Sequence, residues 1–285
     1  MEAAIKKAEV LIEALPYIRQ FRDKVIVIKY GGSILGEEKI RKVVLQDIVF
    51  LHFVGLKPVL VHGGGPNISD RMRLTGKKAN FVDGMRVTDE ETLEVVEEEL
   101  RKLNTLIIRE IVELGAQVKG VNGKEGLILA EKKKAKIDLG LVGNIIGIDT
   151  EIMAQLFKQH AIPVILPMGR GSVDRKTYNV NADEAAAPIA AARKAEKLVL
   201  LTNVKGIMRN AEDPHSFIST LTEAEAKNLK KEAVIQAGMI PKVDACISAL
   251  DKGVKKTHIV DACIPHALLL EIFTDKGIGT EIVLK

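Results

Sequence analysis

Two lysines, Lys29 and Lys242, stand more than two hundred residues apart, each at a place where a cation needs a reason. Val25 to Ile28 read as a strand buried on both faces, because its apolar positions are continuous rather than alternating. Lys29 falls at the carboxyl end of that strand, followed by Gly31, Gly32 and Ser33. Ligands of open α/β sheets sit at strand carboxyl ends, and bare backbone N–H groups beside a cation suit a phosphate. A two-glycine turn from strand to helix is also ordinary punctuation, so this turn alone supports both readings. Lys242 falls in the first turn of a helix opening at Gly238, where the helix dipole disfavours positive charge. An anion bound at the same helix end would remove the conflict.

A second strand, Pro58 to Val61, runs into His62-Gly63-Gly64-Gly65-Pro66-Asn67, with Pro66 well placed in a first helical turn. Two such units in series imply βαβ architecture and two glycine turns on one sheet edge. Arg86 lies between Met85 and Val87 in a short loop, just before Thr88, which has the spacing of a cap with Glu91. It serves either a surface ion pair or a fork for a bound carboxylate. Asn179, Asn181 and Asp183 alternate along an extended segment and project to one side. Asp183 could equally be a helix cap.

Lysines, glycine turns and an arginine are the inventory of phosphoryl transfer, which needs positioning and stabilisation of spread negative charge. A carboxylate acceptor is already ionised at neutral pH and needs no general base, which fits the absence of a conspicuous histidine or glutamate base. Phosphate-loop, dinucleotide-fold, nucleophile-elbow, zinc-protease and protein-kinase motifs are all missing. Only His62 among six histidines lies beside a glycine turn, and it reads as structural.

The elements that must carry these residues follow from periodicity. Residues 3 to 15 form an amphipathic helix that Pro16 should kink or end, with Tyr17, Ile18 and Phe21 continuing its apolar stripe. It packs either on its own domain or on another subunit. Helices are expected at 37–54, 90–114, 151–160, 184–194 (around an awkward Pro188), 221–231, 238–250 and 266–273. Buried strands are expected at 162–167, 197–202, 257–260 and 280–284, a strand-turn-strand at 118–130, and a hairpin at 137–149. Texture changes near residue 175, which divides the chain into a leading helix (1–22), a lobe of glycine turns (23–175) and a lobe of strand-end polar residues (176–285).

Net charge is +4, from 42 basic and 38 acidic residues spread along the 285, and there is no tryptophan to stack on bases. Neither supports nucleic-acid binding. Lys132 to Lys136 and Glu97 to Glu99 read as solvated runs. Cys246 and Cys263 lack metal-ligand spacing and imply reduced thiols. No apolar run is long enough to span a membrane, and Glu2, Glu9 and Glu13 interrupt any leader segment. A cytoplasmic location is the expectation.

In order, K-Y-G-G-S, H-G-G-G-P, D-G-M-R-V-T-D, Y-N-V-N-A-D, L-L-T-N-V-K-G and G-M-I-P-K-V resemble the amino acid kinase family, over about Leu11 to Ile282. R-V-T, N-V-N-A-D and G-M-I-P-K resemble the branch that phosphorylates the γ-carboxylate of N-acetyl-L-glutamate. The resemblance implies a three-layer αβα sandwich around a mainly parallel sheet. It implies that Lys29 and Lys242 stabilise the transferring phosphoryl group, with Asp183 orienting both. Gly31 and Gly32 would donate to ATP phosphates, and Gly64 and Gly65 to the acceptor carboxylate and phosphoryl oxygens. Arg86 and Asn179 would hold the acceptor, and Thr202, Asn203 and Gly206 the nucleotide. Magnesium would arrive on ATP with no protein ligand. The leading helix and the ending H-A-L-L-L-E-I-F-T-D-K-G-I-G-T resemble arginine-inhibited, hexameric members, which would put Tyr17, Glu271 and Gly279 near an arginine site in a homodimer or hexamer.

Against the family pattern, Asn203 replaces an acid, Lys205 follows it, and Glu97-Glu98-Glu99 stands in the helix that forms the family's dimer interface. Asp261-Ala262-Cys263 and Pro188 are further departures. A kinase for another acetylated amino acid such as acetylaminoadipate, and a non-catalytic arginine sensor, remain as alternatives at this level.

Overall fold

The computed structural model describes residues 1–210 and 212–284. Its centre is an eight-stranded sheet built from β1 (Val25–Tyr30), β2 (Lys57–His62), β3 (Val118–Asn122), β4 (Ile162–Leu166), β5 (Lys197–Thr202), β6 (Thr220–Thr222), β7 (Lys256–Asp261) and β8 (Thr280–Val283). The spatial order is β6-β8-β7-β5-β1-β2-β4-β3. The six strands from β7 to β3 run parallel, whereas β8 pairs antiparallel with β7 and parallel with β6. The chain starts at the centre, moves out to β2, goes on to the edge strand β3, comes back to β4 between them, then crosses to the other side of β1 with β5. That reversal puts the crevice at the carboxyl ends of β1, β2 and β5.

Among the described residues ten α-helices connect and cover the sheet: α1 (Glu2–Phe21), α2 (Gly32–Leu35), α3 (Glu38–Phe53), α4 (Gly65–Leu74), α5 (Glu90–Glu113), α6 (Thr150–Lys158), α7 (Ala182–Ala192), α8 (Glu223–Lys231), α9 (Ile240–Asp251) and α10 (Ala267–Ile272). Alternation along β1 sends Ile26, Ile28 and Tyr30 into one core with α3, α5 and α10. Val27 points into the other, beneath α7 and α9. The three-layer sandwich with a mainly parallel sheet is therefore the observed architecture. By the same period of two, Lys29 faces the α7–α9 layer. Strands from both sides of residue 175 share this sheet, because β1 pairs with β5.

Several local expectations are corrected. Pro16 neither ends nor splits α1, which runs on to Phe21. Residues 137–149 are not a hairpin: only Gly143–Ile148 is a strand, pairing back with Ile128–Lys132 in a separate four-stranded sheet. Gly140, at φ +72°, instead bridges to Thr88, where a side chain would strike the Thr88 carbonyl. The Arg86 loop is a small hairpin, Phe81–Val82 with Met85–Arg86. Asp89 rather than Thr88 caps α5, accepting from Thr92 N at 2.8 Å. Glu97 and Glu99 are mostly covered by ion pairs to Lys124, Arg101 and Lys102. Helix α7 spans 182–192 rather than 184–194 and runs through Pro188. Among the described residues no helix is long and apolar enough to cross a membrane, and both cysteines are free.

Candidate active site

Asp183 does not cap α7. Asn181 does, its side chain accepting from Asp183 N at 2.8 Å and Glu184 N at 3.3 Å. That leaves the Asp183 carboxylate in the first turn, pointing at the sheet. Lys29 Nζ lies 2.8 Å from Asp183 Oδ1, and Lys242 Nζ 3.1 Å from Asp183 Oδ2. One carboxylate thus joins the end of β1 to the start of α9. Burial works against the charge on Asp183, but the two ammonium groups outweigh it and hold its carboxyl below the usual range. Lys29 is pulled below the ordinary lysine value by burial, with Asp183 opposing. The three side chains carry one net positive charge in a nearly dry place, an arrangement that attracts a further anion.

The two glycine turns meet backbone to backbone. A Cβ on Gly32 would lie 2.9 Å from Gly65 N, 3.0 Å from Gly64 N and 3.1 Å from Pro66 Cδ. Gly31 and Gly64 are the N-caps of α2 and α4, so both helices open towards the same gap. Among the described residues, the N–H groups of Gly32, Gly64 and Gly65 have no protein acceptor, whereas that of Gly31, expected to serve an ATP phosphate, donates to Leu201 O at 3.3 Å within the fold. Converging donors without acceptors, beside two lysines, form an anion cradle.

Arg86 reaches the same cavity beside the second glycine turn. It is 6% exposed, stacks on Phe81 with 4.7 Å to the ring centroid, and donates from Nη2 to Gly65 O at 2.9 Å and Ser69 Oγ at 2.8 Å. Burial lowers its pKa, yet a guanidinium stays charged. No carboxylate among the described residues pairs with it, so of its two readings the surface ion pair is not the one formed. Lys29, Gly31, Gly32, Gly64, Gly65 and Arg86 line one cavity of about 600 Å³ together with Asn179, Asp183, Thr202, Asn203 and Lys242. Asn179 is tied to Thr88 Oγ1 at 3.2 Å.

Residues 24–261 match the family model described as the amino acid kinase family. The chain belongs to the amino acid kinase family. It is 51% identical over 280 residues to the acetylglutamate kinase of Caldanaerobacter subterraneus subsp. tengcongensis, covering 98% of this chain and 93% of that one. It is 48% identical over 288 residues to that of Halothermothrix orenii, covering 99% of both. In three dimensions it resembles the N-acetylglutamate synthase of Neisseria gonorrhoeae complexed with coenzyme A and N-acetyl-glutamate (TM-score 0.86, 28% identity, 96% of this chain). The chain spans only 63% of that synthase. A further crystal structure of the synthase, with coenzyme A and L-arginine, aligns at TM-score 0.82 and 26% identity over 96% of this chain and 64% of the synthase.

Within this family frame, Gly206 sits beside the first cavity in a second of about 830 Å³, which it lines with Asn203, Val204, Met208, Ala233 and Asp261. The φ of Gly206 is +123°, and a Cβ there would strike Thr280 Oγ1, so the loop after β5 needs glycine at this point. The two cavities share Asn203, Val204 and Met239.

Tyr17, Glu271 and Gly279 lie away from both cavities. Tyr17 packs edge-on against Phe273 and its hydroxyl donates to Asp275 Oδ1 at 2.5 Å. Glu271 is buried: its Oε1 lies 2.6 Å from His258 Nδ1, and its Oε2 accepts from Ile278 N at 2.7 Å and Gly279 N at 2.8 Å. Its burial raises the cost of charge, but His258 and these two N–H groups hold the carboxyl below its usual range. In this conformation the carboxylate is occupied by its own chain.

Sequence reasoning missed Ser69 and Phe81, which fix Arg86, and Asn104, whose Nδ2 reaches His62 Nε2 at 3.1 Å. Ser69 lies one helical turn beyond Gly65, a spacing that could have flagged it. Asn104 gave no such sign, since a lone asparagine in a long helix is unremarkable until its neighbours are known.

Proposed function

We propose that this chain is an acetylglutamate kinase: it moves the γ-phosphoryl group of ATP to the γ-carboxylate of N-acetyl-L-glutamate, giving N-acetyl-L-glutamyl 5-phosphate, in arginine biosynthesis. The observation that carries the reading is a single cavity lined both by a buried arginine with no acid partner among the described residues and by a two-lysine clamp. Near-full-length identity of about half to acetylglutamate kinases points the same way.

In this reading Arg86 holds the α-carboxylate of the acceptor, with Asn179 beside it. The γ-carboxylate then faces the glycine turns already ionised, and no protein base is required. Lys29 and Lys242 neutralise charge on the transferring group from two sides while Asp183 keeps both in place. The N–H groups of Gly32, Gly64 and Gly65 receive phosphoryl oxygens, and the loop holding Thr202, Asn203 and Gly206 takes the nucleotide in the adjoining cavity. The cradle fits a polyphosphate, since its donors lack acceptors and a single Cβ would fill it. Among the described residues no three acids, histidines or cysteines cluster as metal ligands. In this reading magnesium enters on ATP, held mainly by phosphate oxygens. The division into residues 1–22, 23–175 and 176–285 corresponds to an assembly helix, an acceptor lobe and a nucleotide lobe, in an enzyme of the cytoplasm.

Ile5, Leu11, Ile12 and Leu15 of α1 are all exposed, which supports a homo-oligomer joined through this helix. Arginine inhibition near Tyr17, Glu271 and Gly279 is supported by the neighbouring synthase, which was crystallised with L-arginine. It would require the Glu271 carboxylate to exchange its internal partners for the ligand. Gel filtration with and without arginine tests both points.

The direct test is ADP release measured with acetylglutamate, glutamate, aspartate and acetylaminoadipate as acceptors. Turnover with acetylglutamate should exceed the others. Equal turnover on free glutamate would overturn the assignment.

A further inference from the structure

His62 ends β2 and is fully buried beside the second glycine turn. Asn104 Nδ2 lies 3.1 Å from His62 Nε2 and 3.1 Å from Val164 O. A carbonyl oxygen can only accept, so the atom facing Val164 O must be the amide NH2. Its two hydrogens then go to Val164 O and to Nε2. The opposite amide orientation would set two oxygens against each other. Asn104 fits this close only because residue 120 is glycine, where a Cβ would lie 2.4 Å from Asn104 Oδ1.

Nε2 therefore accepts and carries no hydrogen. Burial drives the imidazole pKa down to about 4, so the ring is neutral at working pH. A neutral imidazole has one N–H, which must be on Nδ1, 3.2 Å from Gly63 O. No described peptide bond is cis, and a trans peptide points its C=O and N–H in opposite directions. With Gly63 O tied to the imidazole, the Gly64 N–H points away from it, and its nitrogen lies on the cavity side, 3.0 Å from where a Cβ on Gly32 would stand. Glycines on both sides of this peptide would otherwise let it rotate freely, presenting a carbonyl oxygen to the phosphoryl group instead of a donor.

We propose that His62 is a positioning residue for phosphoryl transfer: Asn104 fixes it as the Nδ1–H tautomer, and it locks the Gly63–Gly64 peptide with its N–H aimed into the cavity. The inference rests on the kinase reading above, and its test separates the two. In the wild-type protein, nitrogen-15 spectra of the histidine rings should show His62 with a protonated Nδ1 and a bare Nε2, unchanged from about pH 6 to 9. A protonated Nε2 would overturn the proposal even in a fully active enzyme, whereas absence of acetylglutamate phosphorylation by the wild type would instead defeat the kinase reading.

Two variants check the consequence. His62→Asn puts an amide where Nδ1 now lies and can still donate to Gly63 O. His62→Gln puts it at the Nε2 position and cannot. His62→Gln should lose kcat by roughly tenfold to a hundredfold, the scale for a misplaced catalytic group, with the KM values little changed. His62→Asn should recover most of that loss. Equal kcat in the two folded variants would refute the role, because a purely structural histidine gives no reason for the two positions to differ.

Discussion

Gly32→Ala places one methyl group where the two glycine turns touch. Its carbon would lie 2.9, 3.0 and 3.1 Å from Gly65 N, Gly64 N and Pro66 Cδ, where ordinary contact begins at 3.4 Å. All three neighbours are backbone or ring atoms, so no flexible side chain can yield. The turns must part by about half an ångström, and the methyl also occupies the space in front of the free N–H donors. A 1 Å misplacement costs on the order of a hundredfold in rate, so half of it with obstruction added should lower kcat/KM by roughly 10- to 100-fold. Gly32 has no positive φ, so backbone strain adds nothing, and overpacking should cost only about 1–3 kcal/mol. Thermal melting should therefore show a folded protein with Tm lowered by several degrees. Gly36→Ala is the matched control: a Cβ there meets nothing within 4 Å, at φ −69°. It should keep full activity and lose no stability. ADP release read at varied ATP and acetylglutamate measures both variants. A Gly32→Ala enzyme within threefold of wild-type kcat/KM would refute the cradle as the phosphoryl site.

Lys242→Ala should cut kcat by about a hundredfold or more in a protein that still folds, and rapid-quench turnover would show whether the chemical step is the one affected. Arg86→Lys keeps the charge but loses the planar fork, so KM for acetylglutamate should rise about tenfold while KM for ATP stays fixed. Arg41 and Glu110 form a buried bidentate pair at 2.8 and 2.9 Å, and Arg41 Nη1 also holds Leu35 O at the end of α2. Glu110→Leu strands that guanidinium and should cost about 3–5 kcal/mol by urea unfolding; a loss under 1 kcal/mol would show the pair to be dispensable. The Asp183 carboxyl is held below its unfolded value, so it stabilises the fold above about pH 4 and loses that contribution as pH falls further. The stability gap between wild type and Asp183→Asn, read by urea titration, should therefore narrow from pH 7 towards about pH 3.

Much of this was legible in the residues themselves. Strand β1 is announced by an unbroken β-branched run, and the sheet's parallel order by strands alternating with amphipathic helices. Lys29, Asp183 and Lys242 could be picked out because each sits where local rules disfavour it or offer it a second use. What local rules could not decide was orientation. Asp183 and Asn181 are both good caps, and only the packing of α7 on β1 turned one to the backbone and the other to the lysines. Residues 137–149 alternate like a hairpin, yet their partners are Ile128–Lys132 and Thr88, which no nearby spacing encodes. Pro16 should break a helix by its chemistry, yet α1 runs through it.

The sequence by itself determined the parts: a sheet with Lys29 at a strand end, two glycine turns on one edge, an arginine awaiting a carboxylate, and the kinship those motifs express. Tertiary structure alone decided that the turns touch, that Asp183 bridges both lysines, that Arg86 pairs with no acid among the described residues, and that Asn104 lies against His62. The reason is physical. Strand and helix periods are written in near neighbours, whereas the site rests on contacts such as His62 with Asn104 and Lys242 with Asp183, 42 and 59 positions apart, fixed only when both apolar faces of the sheet are covered at once.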